Sequence, residues 1–181
     1  MEYLKGVEPT QRNTPAFKRA RQLGGDLASL LPVARGREIR QVLNSLGIRI
    51  VTVHTVPYSM AFDRVHFVVQ AGNPIEITLE NPDQWLHNLV IVMPGSLAEI
   101  GVMASQMLVD SKSWEGHPFV PNSEKVLMAT RVLKNGDSDT ITFVAPEAIG
   151  EYPYLCTYPG HWVSMNGILH VVEDVNAWIA A

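Results

Sequence analysis

The sequence predicts an all-β protein: an antiparallel β-sandwich with one inserted short helix and a helical N-terminal extension. Three observations lead to this prediction. Apolar residues recur at helical spacing up to residue 47, and the period changes to two from Ile48 onward. About eight short apolar or alternating runs follow, separated by turn signals such as Asn135-Gly136. One capping-box pattern, from Ser96 to Glu99, interrupts these runs and predicts the inserted helix.

The change of period divides the chain into a helical extension or linker at residues 1–47 and a sandwich domain at residues 48–181. In the extension, Asn13-Thr14-Pro15 is typical of a helix start, and Gly24-Gly25 is expected to end that helix. A second helix is predicted from Arg37 to Leu46. We expect two such helices to be too small to form a core alone. Their apolar face should therefore pack on the sandwich or on a neighbouring domain.

The strand predictions depend on alternation and on β-branched residues. The clearest case is Ile75 to Glu80, where apolar and polar side chains alternate without a break. Several short strands with turns between them are most economically arranged as an antiparallel sandwich. The predicted strands are Ile48–Val56, Val65–Val69, Ile75–Glu80, His87–Met93, Val126–Leu133, Thr140–Val144, Tyr152–Cys156 and Ile168–Val172.

The composition is that of an ordered globular protein, with 46% hydrophobic and 18% charged residues and a net charge of -4. The charges are spread along the chain, so no basic run indicates nucleic-acid binding. No apolar segment approaches the roughly 20 residues of a membrane span. The first residues, Met1 to Gly6, do not resemble a secretory signal. A removed leader, a fragment of a longer protein and a cytoplasmic protein all remain possible interpretations.

One loop contains three potential metal ligands of different chemistry. Cys156 is followed by His161 five residues later and by Met165 four residues after that. A further imidazole, His87, opens a predicted strand far upstream. Thiolate and thioether sulfur suit Cu(I), and imidazole suits both oxidation states, so two His, one Cys and a distant Met form the ligand set of a blue copper site. The pattern predicts one copper ion held by His87, Cys156, His161 and Met165.

Each of these residues also has an ordinary explanation when it is considered alone. A lone Cys is usually a small buried apolar residue, a His near an apolar strand is usually structural, and a Met is common core filler. Tyr158-Pro159-Gly160 alone would be only a turn. The combined spacing, on a strand–loop–strand segment with a His upstream, favours the metal site over these alternatives.

The same residues carry a resemblance to a known family. The loop resembles the copper loop of the cupredoxins, and within that family it is most similar to the azurins and auracyanins. The resemblance covers roughly Ile48 to Glu173. The segments that carry it are Cys156-Thr-Tyr-Pro-Gly-His161-x3-Met165-x-Gly167, His87-Asn88-Leu-Val-Ile, Pro94-Gly95 and Phe143-x-Ala145-Pro146-x3-Gly150-x-Tyr152.

The resemblance implies a Greek-key sandwich with one type-1 copper ion per chain. His87, Cys156 and His161 would be the equatorial ligands, and Met165 the axial ligand. The backbone N–H groups of Asn88 and Tyr158 would donate hydrogen bonds to the Cys156 sulfur, and the Asn88 side chain would connect the two ligand segments. Azurins have a glycine before the first His, where this chain has Leu86, so a carbonyl contact to copper at that position stays open.

The resemblance also implies how electrons would enter and leave. The edge of His161 would be the exit, and Pro159, Trp162 and Pro94 would form an apolar docking patch for transient redox donors and acceptors. Packing within the domain is the alternative role for Trp162. The family further implies a periplasmic or other extracytoplasmic location. The oligomeric state is not predicted.

Three functions remain to be compared. The first is a blue copper electron-transfer protein or redox module, which is not an enzyme. The second is a copper-dependent enzyme, and a related alternative is the copper-binding domain of a larger multidomain redox enzyme. An enzyme on this chain alone would need further copper ligands, and the chain contains no His-x-His pair. The third is a copper store or carrier, which would favour exposed sulfur ligands. The remaining imidazoles are scattered along the sequence, at His54, His66, His117 and His170. The other methionines are expected to be core residues: Met60, Met93, Met103, Met107 and Met128.

Overall fold

The computed structural model describes residues 2–12, 14–47, 49–107 and 112–180. Its strands form two sheets, one of four strands and one of five. The strands are β1 Arg49–Val56, β2 Ala61–Phe62, β3 His66–Gln70, β4 Pro74–Glu80, β5 Val90–Val92, β6 Val126–Ala129, β7 Ser138–Val144, β8 Gly150–Leu155 and β9 Asn166–Val172. The helices are α1 Glu2–Lys5, α2 Pro15–Ser29, α3 Val33–Ser45, α4 Leu97–Ser105 and α5 Val175–Ala180.

The sheet order is β2-β1-β4-β7 in one sheet and β3-β9-β8-β5-β6 in the other. The predicted sandwich is confirmed, but its sheets are mixed rather than purely antiparallel, because β1 pairs with β4 and β3 pairs with β9 in parallel. Parallel neighbours need a long connection. Between β1 and β4 the chain enters the other sheet through β3, and it returns to the first sheet in its original direction.

The core lies between the two sheets, where alternate side chains of each strand meet. Ile75, Ile77 and Leu79 of β4 are fully buried, as the alternation of that strand predicts. Tyr154 of β8 lies against Phe67 of β3, with ring centroids 5.1 Å apart. The candidate ligands Cys156 and Met165 belong to this same apolar cluster, so the site is an extension of the core.

The inserted helix α4 packs on the outside of the five-stranded sheet, where Ile100 joins a second apolar cluster with residues of β5 and β8. Ala104 of the same helix is also fully buried. It starts one residue after the predicted cap, although the Ser96 side chain makes no capping hydrogen bond. The predicted inward-facing side of α4 is partly exposed to solvent, since 37% of the surface of Met103 is accessible. The expectation that Met103 and Met93 are core residues is wrong, since Met93 is 41% exposed.

The N-terminal helices differ from the prediction in one respect. Helix α2 does not end at Gly24-Gly25 but continues to Ser29. Gly24 faces α3 so closely that a Cβ would lie 3.2 Å from Leu43 Cδ2, which explains a glycine inside the helix despite its cost of about 1 kcal/mol. Thr14 caps α2 by accepting a hydrogen bond from the Phe17 N–H, whereas Asn13 lies outside the described residues.

Helices α2 and α3 share a small apolar cluster with Leu4 of α1. The extension contacts the sandwich through Arg12, whose guanidinium donates to Asn73 Oδ1 at 3.2 Å. The division of the chain at residue 47 into a helical extension and a sandwich domain stays a prediction. The apolar cluster shared by the helices consists of Leu4, Phe17, Leu43 and Leu46. Several apolar side chains nevertheless face solvent, namely Leu23, Leu27, Leu30, Leu31 and Val33.

No helix among the described residues is both long enough and apolar enough to span a lipid bilayer.

Candidate metal centre

The first ligand segment is held between β4 and β5 by backbone pairing. The His87 N–H donates to the Leu133 carbonyl at 3.2 Å, and the Leu133 N–H donates back to the His87 carbonyl at 2.7 Å. The Asn81 side chain also donates to the Leu133 carbonyl, at 3.0 Å, and to the Trp85 carbonyl, at 2.8 Å. These bonds fix the segment from residue 81 to 87 against the neighbouring loop, so His87 has a defined position before any metal binds.

The second ligand segment is the loop between β8 and β9. Cys156 follows the end of β8, His161 begins a short 3-10 turn, and Met165 precedes β9. Gly160 has a φ of 84°, the left-handed conformation that a turn before His161 requires. The Cys156 N–H donates to the Met165 carbonyl at 3.0 Å, and the Met165 N–H donates to the His161 carbonyl at 2.9 Å. The loop therefore closes on itself and holds its three candidate ligands on one side.

Folding brings three donor atoms from these segments to one point. His87 Nδ1, His161 Nδ1 and Cys156 Sγ lie within 4.8 Å of one another, and all three residues are buried. The sulfur lies 3.8 Å from His87 Nδ1 and 3.6 Å from His161 Nδ1, and the two nitrogens are 3.3 Å apart. Within the described part of the chain this is the one cluster of three or more His, Cys or carboxylate donors. Met165 is fully buried in the same core cluster.

These separations fit a metal ion at the centre of the three donors. With bonds of about 2.1 Å to each nitrogen and about 2.3 Å to sulfur, a trigonal ion separates its donors by roughly 3.5 to 3.8 Å. The observed spacings need changes of a few tenths of an ångström only. A thiolate, two imidazoles and a weak thioether are the donors of a type-1 copper site. The residues present therefore fit copper in number, chemistry and spacing.

A buried carboxylate, absent from the sequence prediction, contacts one of the donors. Asp83 Oδ2 lies 3.0 Å from His87 Nε2, and both side chains are at most 1% exposed. Asp83 Oδ1 accepts hydrogen bonds from the backbone N–H groups of Gln84, at 2.7 Å, and Tyr58, at 3.2 Å. With the proton of His87 on Nε2 and donated to Asp83, the lone pair of Nδ1 is free to face the metal position.

Burial raises the pKa of Asp83, but the hydrogen bonds from His87, Tyr58 and Gln84 and the attraction of His87 outweigh burial and lower the pKa below its usual value. Asp83 is therefore an anion at neutral pH. The sequence contains a weak signal for this role, since Asp83 precedes His87 by four residues. Spacing alone does not show which way the two side chains point, and the orientation of Asp83 depends on the hydrogen bonds from the backbone N–H groups of Tyr58 and Gln84.

The Asn88 side chain connects the two ligand segments, as the family resemblance implies. Its amide donates to Thr157 Oγ1 at 2.8 Å, and its carbonyl oxygen accepts from the Thr157 N–H at 2.8 Å. Both residues are fully buried. Because the two bonds join the residues directly after His87 and Cys156, they fix the distance between the imidazole and the sulfur.

The protonation of the free ligands follows from burial. Burial raises the pKa of Cys156 to about 11, although the backbone N–H groups of Asn88 and Tyr158 donate to the sulfur and lower it. Burial also lowers the pKa of His161, and the nearby His87 ring contributes in the same direction. In the metal-free protein at pH 7, Cys156 is therefore a thiol and His161 is neutral. Copper binding has to displace the thiol proton.

The predicted docking residues are not all in one place. Pro159 is exposed beside His161. Trp162 lies across Gly101 of α4, where a Cβ would come within 2.2 Å of its ring, and its Nε1 donates to Ser105 Oγ at 3.0 Å. Trp162 is half-buried, so much of its ring serves packing. Pro94 precedes α4, at the opposite end of the helix from Ser105, a separation of roughly 13 Å along the helix axis.

Comparison with known proteins agrees with this geometry. Auracyanin-A of Chloroflexus aurantiacus is 32% identical over 113 residues, which are 62% of this chain and 67% of that protein. Auracyanin-B of the same organism is 29% identical over 133 residues, 72% of this chain and 55% of that protein, so the chain spans about half the length of this relative. No protein-family model matches the chain.

Solved structures give the same result. Reduced auracyanin from Roseiflexus castenholzii has a TM-score of 0.59 and 32% identity, covering 68% of this chain and 96% of the auracyanin. Auracyanin A of Chloroflexus aurantiacus, described as a blue copper protein, has a TM-score of 0.60 and 26% identity, covering 70% of this chain and all of that one. The chain belongs to the blue copper cupredoxins. The predicted family is confirmed, and copper is the cofactor that this cupredoxin binds.

A further apolar side chain near the ligands escaped the sequence prediction. The Trp85 ring centroid lies 6.3 Å from that of His161, and Trp85 is 44% exposed. Trp85 comes two residues before His87, and the family resemblance of that segment begins only at His87. Only the folded arrangement shows that this ring lies beside the other ligand loop.

Proposed function

We propose that this cupredoxin carries single electrons between two redox proteins through its copper site. The observation that supports the proposal is the convergence of His87, Cys156 and His161 within 4.8 Å in a buried site. Copper supplies a Cu(I)/Cu(II) couple in such a donor set. Because the donors are positioned by backbone pairing and by the Asn88 bonds, they need to move little when the charge of the site changes. A small rearrangement favours rapid electron transfer.

Electrons would enter and leave at His161. This residue is 6% exposed, whereas His87 and Cys156 are completely buried. Three exposed apolar side chains lie near His161 in the fold or in the sequence. Trp85 is 44% exposed with its ring centroid 6.3 Å from that of His161, and Val163, 69% exposed, and the exposed Pro159 are each two residues away in the sequence. We call His161, Trp85, Pro159, Trp162 and Val163 the docking surface. A modest apolar patch is adequate, because transient redox complexes have small interfaces.

The docking surface differs from the predicted patch at one position. Pro94 is left out because it lies beyond the far end of α4, whereas Trp162 contacts Ser105 at the near end. We infer that Trp162 has two roles: it packs on α4 with its buried part and contributes to docking with the remainder.

The two alternative functions have less support. A copper enzyme on this chain would need a second set of copper ligands. Among the described residues one cluster of three such donors occurs, and it is the site formed by His87, Cys156 and His161. A copper store or carrier needs ligands that exchange with solvent, whereas Cys156 and Met165 are fully buried. A redox module within a larger enzyme would use the same electron-transfer step. We therefore propose an electron carrier or module rather than an enzyme.

The family supports a location outside the cytoplasm, and the burial of Cys156 is compatible with it. A thiol outside the cytoplasm is exposed to oxidation, and this thiol is buried and would be occupied by copper.

A transient electron donor and a transient electron acceptor would share the docking surface. Whether the extension at residues 1–47 contacts a neighbouring domain stays a prediction, and so does the oligomeric state.

The experiment compares two exposed apolar residues on copper-loaded protein. Val163→Asp places a charge on the docking surface, and Ile149→Asp is the matched control, since Ile149 is 63% exposed and precedes β8 at the end opposite Cys156. Electron self-exchange, measured by NMR line broadening, requires two docking surfaces to meet. We expect Val163→Asp to slow it about tenfold or more through repulsion of like charges, and Ile149→Asp to leave it unchanged.

Both variants should keep the intense blue absorption of the copper thiolate. A colourless copper complex would contradict the type-1 assignment. Equal rates for the two blue variants would show that electrons do not leave at His161.

A further inference from the structure

A second pair of imidazoles meets on the outer face of the five-stranded sheet. His66 Nδ1 lies 3.0 Å from His170 Nε2, and the rings are 5.2 Å apart between centroids with 27° between their planes. The distance between the two ring centroids exceeds the distance between the two nitrogens by about the sum of the two ring radii, so both nitrogens lie close to the line that joins the centroids. The rings therefore meet edge to edge, and the two nitrogens point towards each other. In the metal-free protein this contact is an N–H···N hydrogen bond between the two rings. A tetrahedral ion with bonds of about 2.1 Å separates two nitrogens by about 3.4 Å, so an ion would take the place of the shared proton and move the nitrogens apart by a few tenths of an ångström.

The geometry of this pair is close to that of the copper ligands. At the copper site the two nitrogens are 3.3 Å apart, the ring centroids are 5.0 Å apart and the planes make 44°. The outer pair differs by 0.3 Å in nitrogen separation (3.0 against 3.3 Å). Binding requires the two rings to turn so that both lone pairs point at one ion, and the exposed His66 side chain has room to do so.

A carboxylate lies beside the ring nitrogen of His170 that does not contact His66, as Asp83 lies beside His87 Nε2. Glu151 of β8 is the direct cross-strand partner of His170 on β9, and its Oε1 lies 3.8 Å from His170 Nδ1. With His170 Nε2 on the metal, its Nδ1–H would face this carboxylate. A carboxylate that accepts from the other ring nitrogen orients a metal-bound histidine and increases its basicity.

The strand pattern directs the pair away from the core. Phe67 and Val69 of β3, and Leu169 and Val171 of β9, are buried in the core. His66, which precedes Phe67, and His170, which lies between Leu169 and Val171, occupy the alternate positions and therefore face outward. Trp178 of α5 lies against His170, with ring centroids 5.1 Å apart, and holds that ring in place. His66 is exposed to solvent. One ligand is therefore fixed and the other is accessible, which permits exchange of a bound ion with the medium.

We propose that His66 and His170, supported by Glu151, form a second metal site for a divalent Cu2+ or Zn2+ ion. Imidazole nitrogen is a good ligand for both ions. Two protein ligands leave the remaining positions to water. The site is open, and it binds more weakly than the buried copper centre. Because no thiolate is present, an ion bound there does not give the intense blue absorption of a copper thiolate.

The test is a calorimetric titration of Zn2+ into copper-loaded protein, in which the type-1 site is already filled. We expect one further equivalent to bind per chain. His66→Gln and His170→Ala should each weaken that binding at least tenfold. Glu151→Gln should weaken it by only about twofold to threefold, because Glu151 is exposed and its oxygen lies 3.8 Å from His170 Nδ1. His54→Gln is the matched control, because His54 is another exposed histidine and lies beside two carboxylates, Asp63 and Glu80. It should leave binding unchanged.

The blue absorption checks, in each variant, that the fold and the copper site are intact. If His170→Ala loses the colour, His66→Gln carries the test alone, since His66 is exposed. Failure to bind a further equivalent at several-fold excess of zinc would overturn the proposal. Binding that is unchanged in His66→Gln, or that is lost in His54→Gln, would also overturn it. Loss of blue colour in the unchanged protein would instead contradict the copper assignment.

Discussion

The buried pair His87–His161 and the exposed pair His66–His170 have nearly the same ring geometry but very different surroundings. Both bring two nitrogens to within 3.0–3.3 Å of each other. The buried pair adds the Cys156 sulfur at 3.6–3.8 Å, whereas the exposed pair has no sulfur ligand. On the proposal above, the imidazole spacing permits a metal to bind at both pairs. The thiolate, the thioether and burial determine which metal binds and whether it can carry electrons.

Both pairs also have a carboxylate behind one ring, at different distances and exposures. Asp83 lies 3.0 Å from His87 in a buried site, whereas Glu151 is 69% exposed and lies 3.8 Å from His170. Water weakens an interaction between exposed charges. We therefore expect Asp83 to influence its metal strongly and Glu151 to influence its metal weakly.

The largest expected effect comes from Cys156→Ser, which removes the sulfur and makes the buried pair resemble the exposed one. The variant should lose the intense blue absorption completely, because that absorption arises from the copper thiolate. The apolar core around position 156 stays filled, so the metal-free domain should remain folded by circular dichroism. It should lose only the stabilisation that copper binding adds.

His66→Gln is the matched comparison for Cys156→Ser, and it should keep the full blue absorption. A blue Cys156→Ser protein would show that the sulfur is not a ligand. Loss of the fold in the metal-free variant would show that Cys156 is mainly structural.

The candidate site could be predicted from the sequence where the ligands are local. Cys156, His161 and Met165 lie in one loop, so their spacing alone indicates a shared ion. His87 is predicted as a ligand because a second imidazole completes the donor set of a blue copper site and because its segment resembles the family. Folding places His87 Nδ1 3.8 Å from Cys156 Sγ. Asp83 could not be found in this way, because its orientation follows from hydrogen bonds to the backbone of Tyr58 and Gln84.

The fold shows the same division between local and distant information. Alternation predicted strands such as β4, because burial of one face needs no knowledge of the partner strand. The parallel pairing of β3 with β9 joins residues about a hundred positions apart, and no local pattern encodes it. Helix α2 continued through Gly24-Gly25 because α3 packs closely there, so a tertiary contact outweighed the usual effect of glycine.

The second largest effect should come from Asp83→Asn. The negative charge near His87 stabilises Cu(II) more than Cu(I), so its removal should raise the reduction potential and weaken Cu(II) binding by about 10–100-fold. Protein-film voltammetry measures the potential, and competition with a chelator measures the affinity. The Nε2 signal of His87 in the metal-free protein, observed by 15N NMR, should also shift.

Asp63→Asn is the matched control for Asp83→Asn. Asp63 lies 2.8 Å from the exposed His54, so the substitution changes the same kind of pair away from the copper ligands. It should leave the potential nearly unchanged. Equal shifts in the two variants would show that net charge, and not the contact with His87, sets the potential.

The pH dependence of metal binding should separate the two imidazole pairs in the unchanged protein. Burial holds the pKa of Cys156 at about 11, so the metal-free protein carries a thiol proton throughout the neutral range. Copper binds the thiolate and releases this proton, and the apparent affinity should therefore rise about tenfold per pH unit between roughly pH 7 and 9. The lowered pKa of His161 keeps that ring neutral over this range, so it adds nothing to the slope.

The exposed pair has no thiol proton to release, so zinc binding there should show a much smaller slope over the same range. Calorimetry in buffers of different ionisation enthalpy counts the protons released in each case. We expect close to one proton for copper entering the buried site. Release of no proton above pH 7 would mean that Cys156 is already a thiolate in the free protein, and the hydrogen bonds from Asn88 and Tyr158 would then outweigh burial. A value near one at both sites would remove the distinction between the two pairs, because the exposed site would then also depend on a group that deprotonates.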